Sequence, residues 1–387
     1  MRITGIVAEY NPFHNGHKYQ IDFAKKHSDA VIIVMSGSFV QRGEAAVFDK
    51  WTRAKAALLG GADLVLELPV CFSVNSAERF AFGAVSLLNQ LGIVDTLCFG
   101  SESGDLAQLK NAAHLLIHEP ADISEKIRQA MQSGVGYPAA RQNAYKEFIP
   151  KEFLRLPNNI LALEYLCALE KLQSPIQPLT HRRETAGHHD TQPTGKFASA
   201  KAIRSQIAAQ KSYSAFVPAP VWPVYENAVR YDTAGLDTAL SYCLRSSSSE
   251  TLRKISGVAE GLENRLIAAG RQHTALRSIV KAVNTKRYTD ARIRRICISS
   301  LLSLTPDLAK TPPKYARVLG LSAAGRAILA GIRKTASVQI INKAADYTPQ
   351  DPMFAKDVLA TDLAALCAAD PAARQAGKDY TTSPVIL

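Results

Sequence analysis

The 387-residue sequence has only six cysteines, and no two of them form a CxxC pair or lie beside a histidine at zinc-ligand spacing. They stand singly at Cys71, Cys98, Cys167, Cys243, Cys297 and Cys367. Zinc ribbons and disulfide frameworks need paired or regularly spaced cysteines, so both classes are excluded. We predict reduced thiols in the protein core and no metal-binding residues.

Long apolar runs are also missing, because no stretch approaches the roughly 20 residues that cross a bilayer. Near the N-terminus, Glu9, Asn11 and Pro12 fall where a signal peptide needs an apolar core. We therefore expect no membrane segment and a cytoplasmic location. The 47% hydrophobic and 21% charged residues are typical of a soluble globular protein, and the length allows two domains.

Acidic residues are few compared with basic ones, with 34 Asp and Glu against 46 Lys and Arg and a net charge of +12. This excess favours a polyanionic partner such as RNA, although basic charge also occurs in proteins that bind no nucleic acid. No protein partner follows from the sequence.

The first half of the chain alternates apolar runs with helical patterns. Buried strands are predicted over residues 3–8, 30–35, 63–68, 94–99 and 178–182. This alternation predicts an α/β fold with a Rossmann-like parallel sheet and helices on both faces. Beyond the proline- and aromatic-rich stretch 216–225, the periodicity is helical over 236–244, 249–269, 274–283, 289–301 and 323–334. We predict an α/β domain over 1–215 and a mainly α-helical domain over 226–387.

The most informative stretch is GIVAEYNPFHNGHKY, residues 5–19, in which a strand meets a turn and then a helix. A helix that begins near Asn15 brings the imidazoles of His14 and His17 together at its N-terminus. Free N–H groups and the positive end of the helix dipole suit a phosphate there, and Gly16 permits close approach. The alternatives are a chance pair of histidines at a helix start and a metal-ligand pair without its partners.

Other candidates follow predicted strands, where ligands gather in open α/β sheets. Arg42 lies in the loop 39–44, and Gly100 would let a base or ribose lie against the backbone. Asn158 and Asn159 precede an apolar helix, so we expect one to cap it and the other to be free for a ligand. The loop 184–195, which contains His188 and His189, is predicted to lie over the site rather than to bind metal.

A second helix start suited to phosphate is predicted at Ser199, which would act as the N-cap with Lys201 and Arg204 in the first turn. By contrast, Arg53 and Lys55 lie on a helix predicted over 49–59, where both are expected to face water.

The segment 281–295 is strongly basic around Tyr288. Its cations are Lys281, Lys286, Arg287, Arg292, Arg294 and Arg295. Such a surface suits an RNA backbone, with an aromatic ring to stack a base. A solvated helix face with a core tyrosine explains the same pattern equally well.

Two segments resemble signatures of the HxGH nucleotidyltransferase superfamily: HNGH at residues 14–17, and Ser199 with Ile203 and Arg204. Most of the chain resembles the bacterial tRNA(Met) cytidine acetate ligase family, through EYNPFHNGH, SGSFVQRGE, DKWTRAKAALLGGADLVLELP, LPNNILALEYL, AGHHD, ASAKAIR, KRYTDARIRR, YARVLGLSAAGR and DYTTSPVIL. The resemblance implies that ATP and acetate form acetyl-adenylate. The acetyl group then passes to N4 of the wobble cytidine of elongator tRNA(Met), and Mg²⁺ is expected to accompany ATP.

The same resemblance assigns site residues. The expected ATP-binding residues are Val7, Ala8, Glu9, Tyr10, Asn11, Pro12, Phe13, His14, Asn15, Gly16, His17, Lys18, Tyr19, Gln20, Gly100, Asn158 (rather than Asn159) and Arg183, with Ser199 and Arg204 at the phosphates. His14, His17 and Lys18 are the expected catalytic residues. The basic segment supplies the expected tRNA-binding residues Lys286, Arg287, Arg294 and Arg295.

The sequence departs from the family pattern in two places. Glu184, Thr185 and His188 replace smaller or aromatic residues, and Lys201 stands where threonine is common. A small-molecule adenylyltransferase and a non-catalytic nucleotide- and RNA-binding protein remain open as alternative functions.

Overall fold

The computed structural model describes residues 1–183, 197–259, 261–285, 288–347 and 351–387. The predicted loop 184–195 and the basic residues Lys286 and Arg287 lie outside these ranges. The strands are β1 Ile3–Ala8, β2 Ala30–Ser36, β3 Phe39–Val40, β4 Glu44–Ala45, β5 Leu64–Leu68, β6 Thr96–Ser101, β7 Gln177–Arg182, β8 Tyr315–Leu321, β9 Gln339–Ile341 and β10 Val385–Ile386.

Helices follow most of these strands. In the first half they are α1 Asn15–Lys25, α2 Lys50–Leu59, α3 Val70–Ser73, α4 Ala77–Gln90, α5 Leu106–Ile117, α6 Ala121–Gln132, α7 Tyr137–Ala144, α8 Pro157–Lys171 and α9 Ala200–Ala208. In the second half they are α10 Trp222–Glu226, α11 Asp237–Ser246, α12 Ser249–Arg253, α13 Leu262–Gln272, α14 Leu276–Val283, α15 Asp290–Leu302, α16 Ala323–Thr335, α17 Pro352–Ala365 and α18 Lys378–Thr381.

Within the described residues, one eight-stranded sheet has the order β10-β8-β5-β2-β1-β6-β7, with β9 beside β8. From β5 to β7 every pair of neighbours is parallel. Strands β2 and β5 are buried along their whole length, because helices cover both faces of the sheet. The predicted Rossmann-like sheet is confirmed, and each of the five strands predicted in the first half is present.

The sheet also continues into the second half of the chain. Strand β8 runs antiparallel to β5, and all seven of its residues are buried. The helical periodicity gave no sign of β8, β9 or β10. When a short strand is buried on both faces, its apolar residues do not alternate with polar ones. Hydrophobic periodicity then cannot distinguish the strand from a buried helix. The division near residues 215–226 stays a prediction, but one sheet spans it.

Four buried charges join β8 and α18 to the rest of the sheet. Lys50 Nζ lies 2.9 Å from Glu67 and 2.8 Å from Asp379. Arg317 contacts the same two carboxylates at 3.3 and 2.8 Å. All four side chains are almost fully buried, so each charge depends on the others, and breaking such a pair costs about 3–5 kcal/mol.

Helices α11, α13, α14 and α15 pack around an apolar cluster of their own, which includes Ile279 and Ile293. The single helix predicted over 249–269 is two helices, α12 and α13. Between them, Gly257 and Gly261 have φ angles of 86° and 78°, which interrupt the helical backbone. None of the helices in the described ranges is long and apolar enough to span a bilayer.

Candidate nucleotide-binding site

A cavity of about 440 Å³ lies at the carboxyl ends of β1 and β6, with the starts of α1, α8 and α9 around it. Small-molecule sites usually occupy about 300–1,000 Å³. Ligands bind at this edge of open α/β sheets. The cavity is therefore the candidate nucleotide site.

His14 and His17 form the start of α1. His14 is the N-cap, and its Nδ1 accepts a hydrogen bond from the Gly16 N–H at 3.1 Å. His17 Nδ1 accepts one from the His14 N–H at 3.2 Å. When Nδ1 of a neutral imidazole accepts a hydrogen bond, the ring hydrogen is on Nε2. Both rings line the cavity, so each has an Nε2–H to donate to a ligand.

Both imidazoles are neutral near pH 7. Burial, together with the charges of Arg183 and Arg204, lowers the pKa of His14 to about 3. Burial also lowers the pKa of His17 well below its usual value, with a further contribution from His14. The rings stack with their centroids 3.7 Å apart. Two imidazolium cations at that distance would repel, so the neutral form is what allows the stack.

Tyr10 supports the turn between β1 and α1. Its φ of 46° lies in the left-handed region, which costs a non-glycine residue about 1–2 kcal/mol. The Tyr10 ring packs edge-on against Phe13 and His17, with centroids 4.9 and 4.8 Å away. This packing holds both the strained backbone and the plane of the His17 ring.

The prediction that Arg53 faces water is wrong, because its side chain is fully buried. The Arg53 guanidinium donates to the carbonyl oxygens of Glu9 at 2.7 Å, Ser36 at 3.0 Å, Phe48 at 3.0 Å and Gly37. One cation therefore ties the ends of β1 and β2 to the start of α2. Lys55, on the same helix, is exposed as predicted.

The start of α9 forms another wall of the cavity. Ser199 is its N-cap, as predicted, with its Oγ accepting from the Ala202 N–H at 3.1 Å. Arg204 donates to the Asn11 carbonyl at 2.7 Å, which joins this helix to the turn before His14. Burial lowers the pKa of Arg204, while Glu44 and Glu9 oppose that shift. Lys201 also lines the cavity and adds positive charge.

Glu102 caps α8, so the expectation of an asparagine cap is wrong. The carboxylate accepts the N–H groups of Asn158 at 3.1 Å and Asn159 at 2.6 Å. Asn159 is fully buried, and its Oδ1 accepts the N–H groups of Glu102 and Ser103. Asn158 lines the cavity, and its Oδ1 accepts from Arg183 Nη1 at 3.1 Å. This geometry favours Asn158 over Asn159 as the ligand-facing residue.

Gly100 lines the cavity at the end of β6. A Cβ at this position would lie 2.8 Å from Arg183 Cγ and 3.0 Å from His181 Cε1. Only glycine lets these two side chains approach the strand. The glycine therefore positions Arg183 as well as leaving room for a ligand.

Glu9 lines the cavity at the end of β1, and its Oε1 accepts the Gln41 N–H at 2.8 Å. Burial raises the pKa of Glu9, and the Gln41 hydrogen bond with the charges of Arg204 and Arg42 opposes this rise. Gln41 and Arg42 line the cavity too, as expected for the loop 39–44.

The other side of this loop contacts α15. Arg294 Nε donates to the Arg42 carbonyl, and Arg295 Nη1 donates to the Gln41 carbonyl, each at 3.3 Å. Gly43, with a φ of 72°, packs so closely that a Cβ there would lie 2.6 Å from the Arg294 carbonyl carbon. Two of the predicted tRNA-binding arginines thus adjoin the nucleotide cavity. Tyr288 is a buried core residue, so it is not an exposed stacking platform.

The cavity brings together many of the residues predicted to bind ATP. On its wall are Val7, Ala8, Glu9, Tyr10, Asn11, His14, His17, Gln20, Gly100, Asn158, Arg183, Ser199 and Arg204. The cavity wall, as far as the described residues form it, does not include Pro12, Phe13, Asn15, Gly16, Lys18 or Tyr19. Lys18 instead pairs with Asp22 on a partly exposed face of α1.

Sequence reasoning missed Phe80, Glu102 and Tyr165 as cavity residues. Phe80 and Tyr165 lie on helices and have the pattern of ordinary core residues. Glu102 did carry a usable signal, because it lies in the loop just after the strand predicted over 94–99.

Comparison with known proteins identifies the family. A family model described as HIGH Nucleotidyl Transferase matches residues 1–379. A curated protein from Acetivibrio thermocellus, named tRNA(Met) cytidine acetate ligase, is 38% identical, with 100% of both chains covered. The chain belongs to the tRNA(Met) cytidine acetate ligase family. Another relative with that name, from Caldanaerobacter subterraneus subsp. tengcongensis, is 39% identical over 94% of each chain.

Solved structures agree with this family and confirm the predicted fold class. Thermotoga maritima TmcAL bound with alpha-thio ATP is 31% identical and superposes with a TM-score of 0.91, and 100% of both chains is covered. The apo form of that protein is 32% identical, with a TM-score of 0.93 and the same coverage.

Proposed function

We propose that this protein activates acetate with ATP and transfers the acetyl group to N4 of the wobble cytidine of elongator tRNA(Met). Membership of the tRNA(Met) cytidine acetate ligase family supports this reaction. The observation that carries the site is the His14–His17 pair, which offers two neutral Nε2–H donors to the cavity.

In the first step, a carboxylate oxygen of acetate attacks the α-phosphorus of ATP. The bond from that phosphorus to the oxygen bridging to the β-phosphate breaks, and pyrophosphate leaves. Both reactants are anions, so the protein must position them and neutralise charge. His14 and His17 donate to phosphate oxygens as negative charge builds, and being neutral they do so without repelling each other.

Different sets of residues hold the phosphate end and the nucleoside end of ATP. Arg204, Lys201 and the N-terminus of α9 bind the departing pyrophosphate, as helix starts with cations commonly do. Arg183 holds the phosphate tail, and Gly100 and Asn158 hold the nucleoside end. Mg²⁺ bound through the phosphate oxygens would supply further positive charge. A catalytic role for Lys18 is a separate proposal, since its Nζ must leave Asp22 to reach a phosphate.

In the second step, the cytidine N4 attacks the carbonyl carbon of acetyl-adenylate. The bond from that carbon to the phosphate oxygen breaks, AMP leaves, and N4 loses a proton. Glu9 suits the acceptance of this proton, because it is a cavity carboxylate with a raised pKa. Arg294 and Arg295 bind the tRNA backbone next to the loop that lines the cavity. Lys286 and Arg287 also bind the tRNA. A tRNA substrate implies a cytoplasmic enzyme.

Incubation of the protein with radiolabelled ATP and acetate, with and without tRNA, tests this function. Thin-layer chromatography should show acetyl-adenylate without tRNA, and labelled acetate should enter elongator tRNA(Met) when that tRNA is present. A stable adenylylated metabolite would instead indicate a small-molecule adenylyltransferase. The absence of turnover would indicate a non-catalytic nucleotide- and RNA-binding protein.

A further inference from the structure

Two histidines and a glutamate form a cluster outside the nucleotide cavity. His114 and His118 lie at the C-terminal end of α5, and Glu170 lies in the last turn of α8. His114 Nδ1 is 2.8 Å and His118 Nε2 is 3.1 Å from the same Glu170 oxygen, Oε1. One ligand atom from each residue lies within 4.8 Å of the other two. None of these residues lines the cavity, so the proposed reaction does not use them.

We propose that His114, His118 and Glu170 bind a divalent transition-metal ion such as Zn²⁺. Two imidazoles and one carboxylate are a known three-ligand set for zinc, with water in the fourth position. With metal–ligand bonds of about 2.0–2.1 Å, tetrahedral geometry places neighbouring ligand atoms about 3.3–3.4 Å apart. The two nitrogen–oxygen distances, 2.8 and 3.1 Å, are shorter than this by about 0.2–0.6 Å, so rotations of the exposed side chains must move the ligand atoms slightly apart to admit the ion.

The donor set also selects the class of metal. Imidazole nitrogens suit zinc, copper, nickel and iron, whereas Mg²⁺ and Ca²⁺ take oxygen ligands. The ion expected here is therefore different from the Mg²⁺ that accompanies ATP. The Glu170 carboxylate brings a negative charge to the cluster, which favours a cation. The adjacent Lys171 does not neutralise this charge, because its Nζ pairs with Glu78 at 3.3 Å.

The backbone places the three residues before any metal binds. His118 lies four residues after His114, and its N–H donates to the His114 carbonyl at 2.9 Å, which keeps both rings on one face. Helix α5 is fixed against α8 next to the cluster, because Cys167 Sγ donates to the Ala113 carbonyl at 3.7 Å. Cys167 is one turn before Glu170. The loss of conformational entropy on metal binding is therefore mainly that of the exposed side chains, because the backbone is already in place.

Metal binding at this cluster would tie together two helices whose other ends approach the nucleotide cavity. Helix α8 begins beside Asn158, and α5 follows the loop that carries Glu102. A ligand that binds only the folded state stabilises it by mass action. The metal is thus expected to act as a brace between α5 and α8.

The test uses the full chain without a histidine tag, dialysed against a chelator. Calorimetric titration with ZnCl₂ should show one saturable site, and CoCl₂ should produce a visible absorption band typical of tetrahedral coordination. His114→Ala and His118→Ala should each weaken Zn²⁺ binding by at least about tenfold, and Glu170→Gln should weaken it as well. Zn²⁺ should raise the melting temperature of the wild-type protein but not that of these variants, and MgCl₂ should not compete.

Two controls locate the site. His27→Ala removes an exposed histidine far along the sequence from the cluster, and His188→Ala with His189→Ala removes a histidine pair that is adjacent in sequence. Both controls should bind Zn²⁺ like the wild type. His118→Ala should retain acetate-dependent ATP–pyrophosphate exchange, which shows that it folds. Zn²⁺ affinity that is unchanged in both His114→Ala and His118→Ala, or no saturable binding to the wild type, would overturn the proposal.

Discussion

The backbone N–H of His14 donates to Nδ1 of His17 at 3.2 Å, and the two rings stack with centroids 3.7 Å apart. His14 Nδ1 in turn accepts the N–H of Gly16, so hydrogen bonds to the backbone set the tautomer of both rings. In His14, the nitrogen that caps the helix and the nitrogen that is proposed to donate to a ligand are therefore different atoms, which allows substitutions to separate the two roles.

His14→Asn should keep the helix cap and remove the Nε2–H donor, because asparagine is an effective N-cap. Acetate-dependent ATP–pyrophosphate exchange should fall by about 10²–10³, the usual cost of losing one such donor. His14→Ala should lose as much activity and in addition about 0.5–2 kcal/mol of stability. Activity assays and urea denaturation measure the two effects. An asparagine variant with near wild-type exchange would mean that His14 is a structural residue.

The buried histidines predict how stability depends on pH. His14 has a pKa of about 3 in the folded protein, against about 6.5 for an unfolded histidine. The stability that neutral His14 contributes is complete at a pH above the unfolded pKa. It is lost as the pH falls from there towards the folded pKa, because in that range only the unfolded chain binds the proton. The loss is up to about 1.4 kcal/mol per pH unit. Urea midpoints at pH 7.5 and 5.5 should differ more for the wild type than for His14→Asn, and equal differences would contradict this.

Arg53→Leu should destabilise the protein strongly. The substitution leaves the carbonyls of Glu9, Ser36 and Phe48 without their buried donor, and each unsatisfied group costs about 1–3 kcal/mol. Lys55→Leu, at an exposed position on the same helix, is the matched control and should change stability by no more than about 0.5 kcal/mol. Chemical denaturation of both variants provides the comparison. Similar stabilities for the two variants would show that the hydrogen bonds of Arg53 to these carbonyls are dispensable.

Gly43→Ala should disturb the loop that lines the cavity. Its φ of 72° disfavours alanine, and the new Cβ would collide with the backbone of Arg294 and Arg295. Gly134→Ala is the matched control, because Gly134 also has a positive φ, 89°, but a Cβ there would have no neighbouring atom within 4 Å. This control variant should therefore show only the backbone cost of about 1–2 kcal/mol. Only Gly43→Ala should weaken ATP binding, measured by calorimetry. Equal ATP affinities would argue against a role for the loop.

Replacing Arg294 and Arg295 with alanine should weaken tRNA binding and make it less sensitive to salt. Each lost phosphate contact lowers the slope of log affinity against log salt by about 0.7–0.9. Filter binding between low and moderate salt measures this slope. The same arginines hold the carbonyls of Arg42 and Gln41, so ATP affinity must be measured as well. A loss of ATP binding with an unchanged salt slope would identify them as loop anchors only.

The parts of the fold that depend on local sequence were predictable. β-branched runs predicted the parallel strands, and HNGH at residues 14–17 predicted a helix that begins near Asn15 with both imidazoles at its N-terminus. Contacts between distant segments were not predictable. The carboxylate of Glu102 caps a helix more than 50 residues further along the chain, and Arg53 binds carbonyls at strand ends. Helical periodicity does not predict the burial of Arg53, because its hydrogen-bond acceptors are backbone carbonyls. Every residue has a backbone carbonyl, so the sequence does not indicate which ones Arg53 will contact.

Strand β8 has a consequence for synthesis on the ribosome. It covers the edge of β5, yet it comes from the last quarter of the chain, as does Asp379 of the buried charge cluster. While the chain is still emerging, β5 is an apolar edge strand with unpaired backbone groups, which is a site of aggregation. A fragment ending near residue 225 would contain every described residue that lines the cavity, but it would leave that edge open and should accumulate in inclusion bodies.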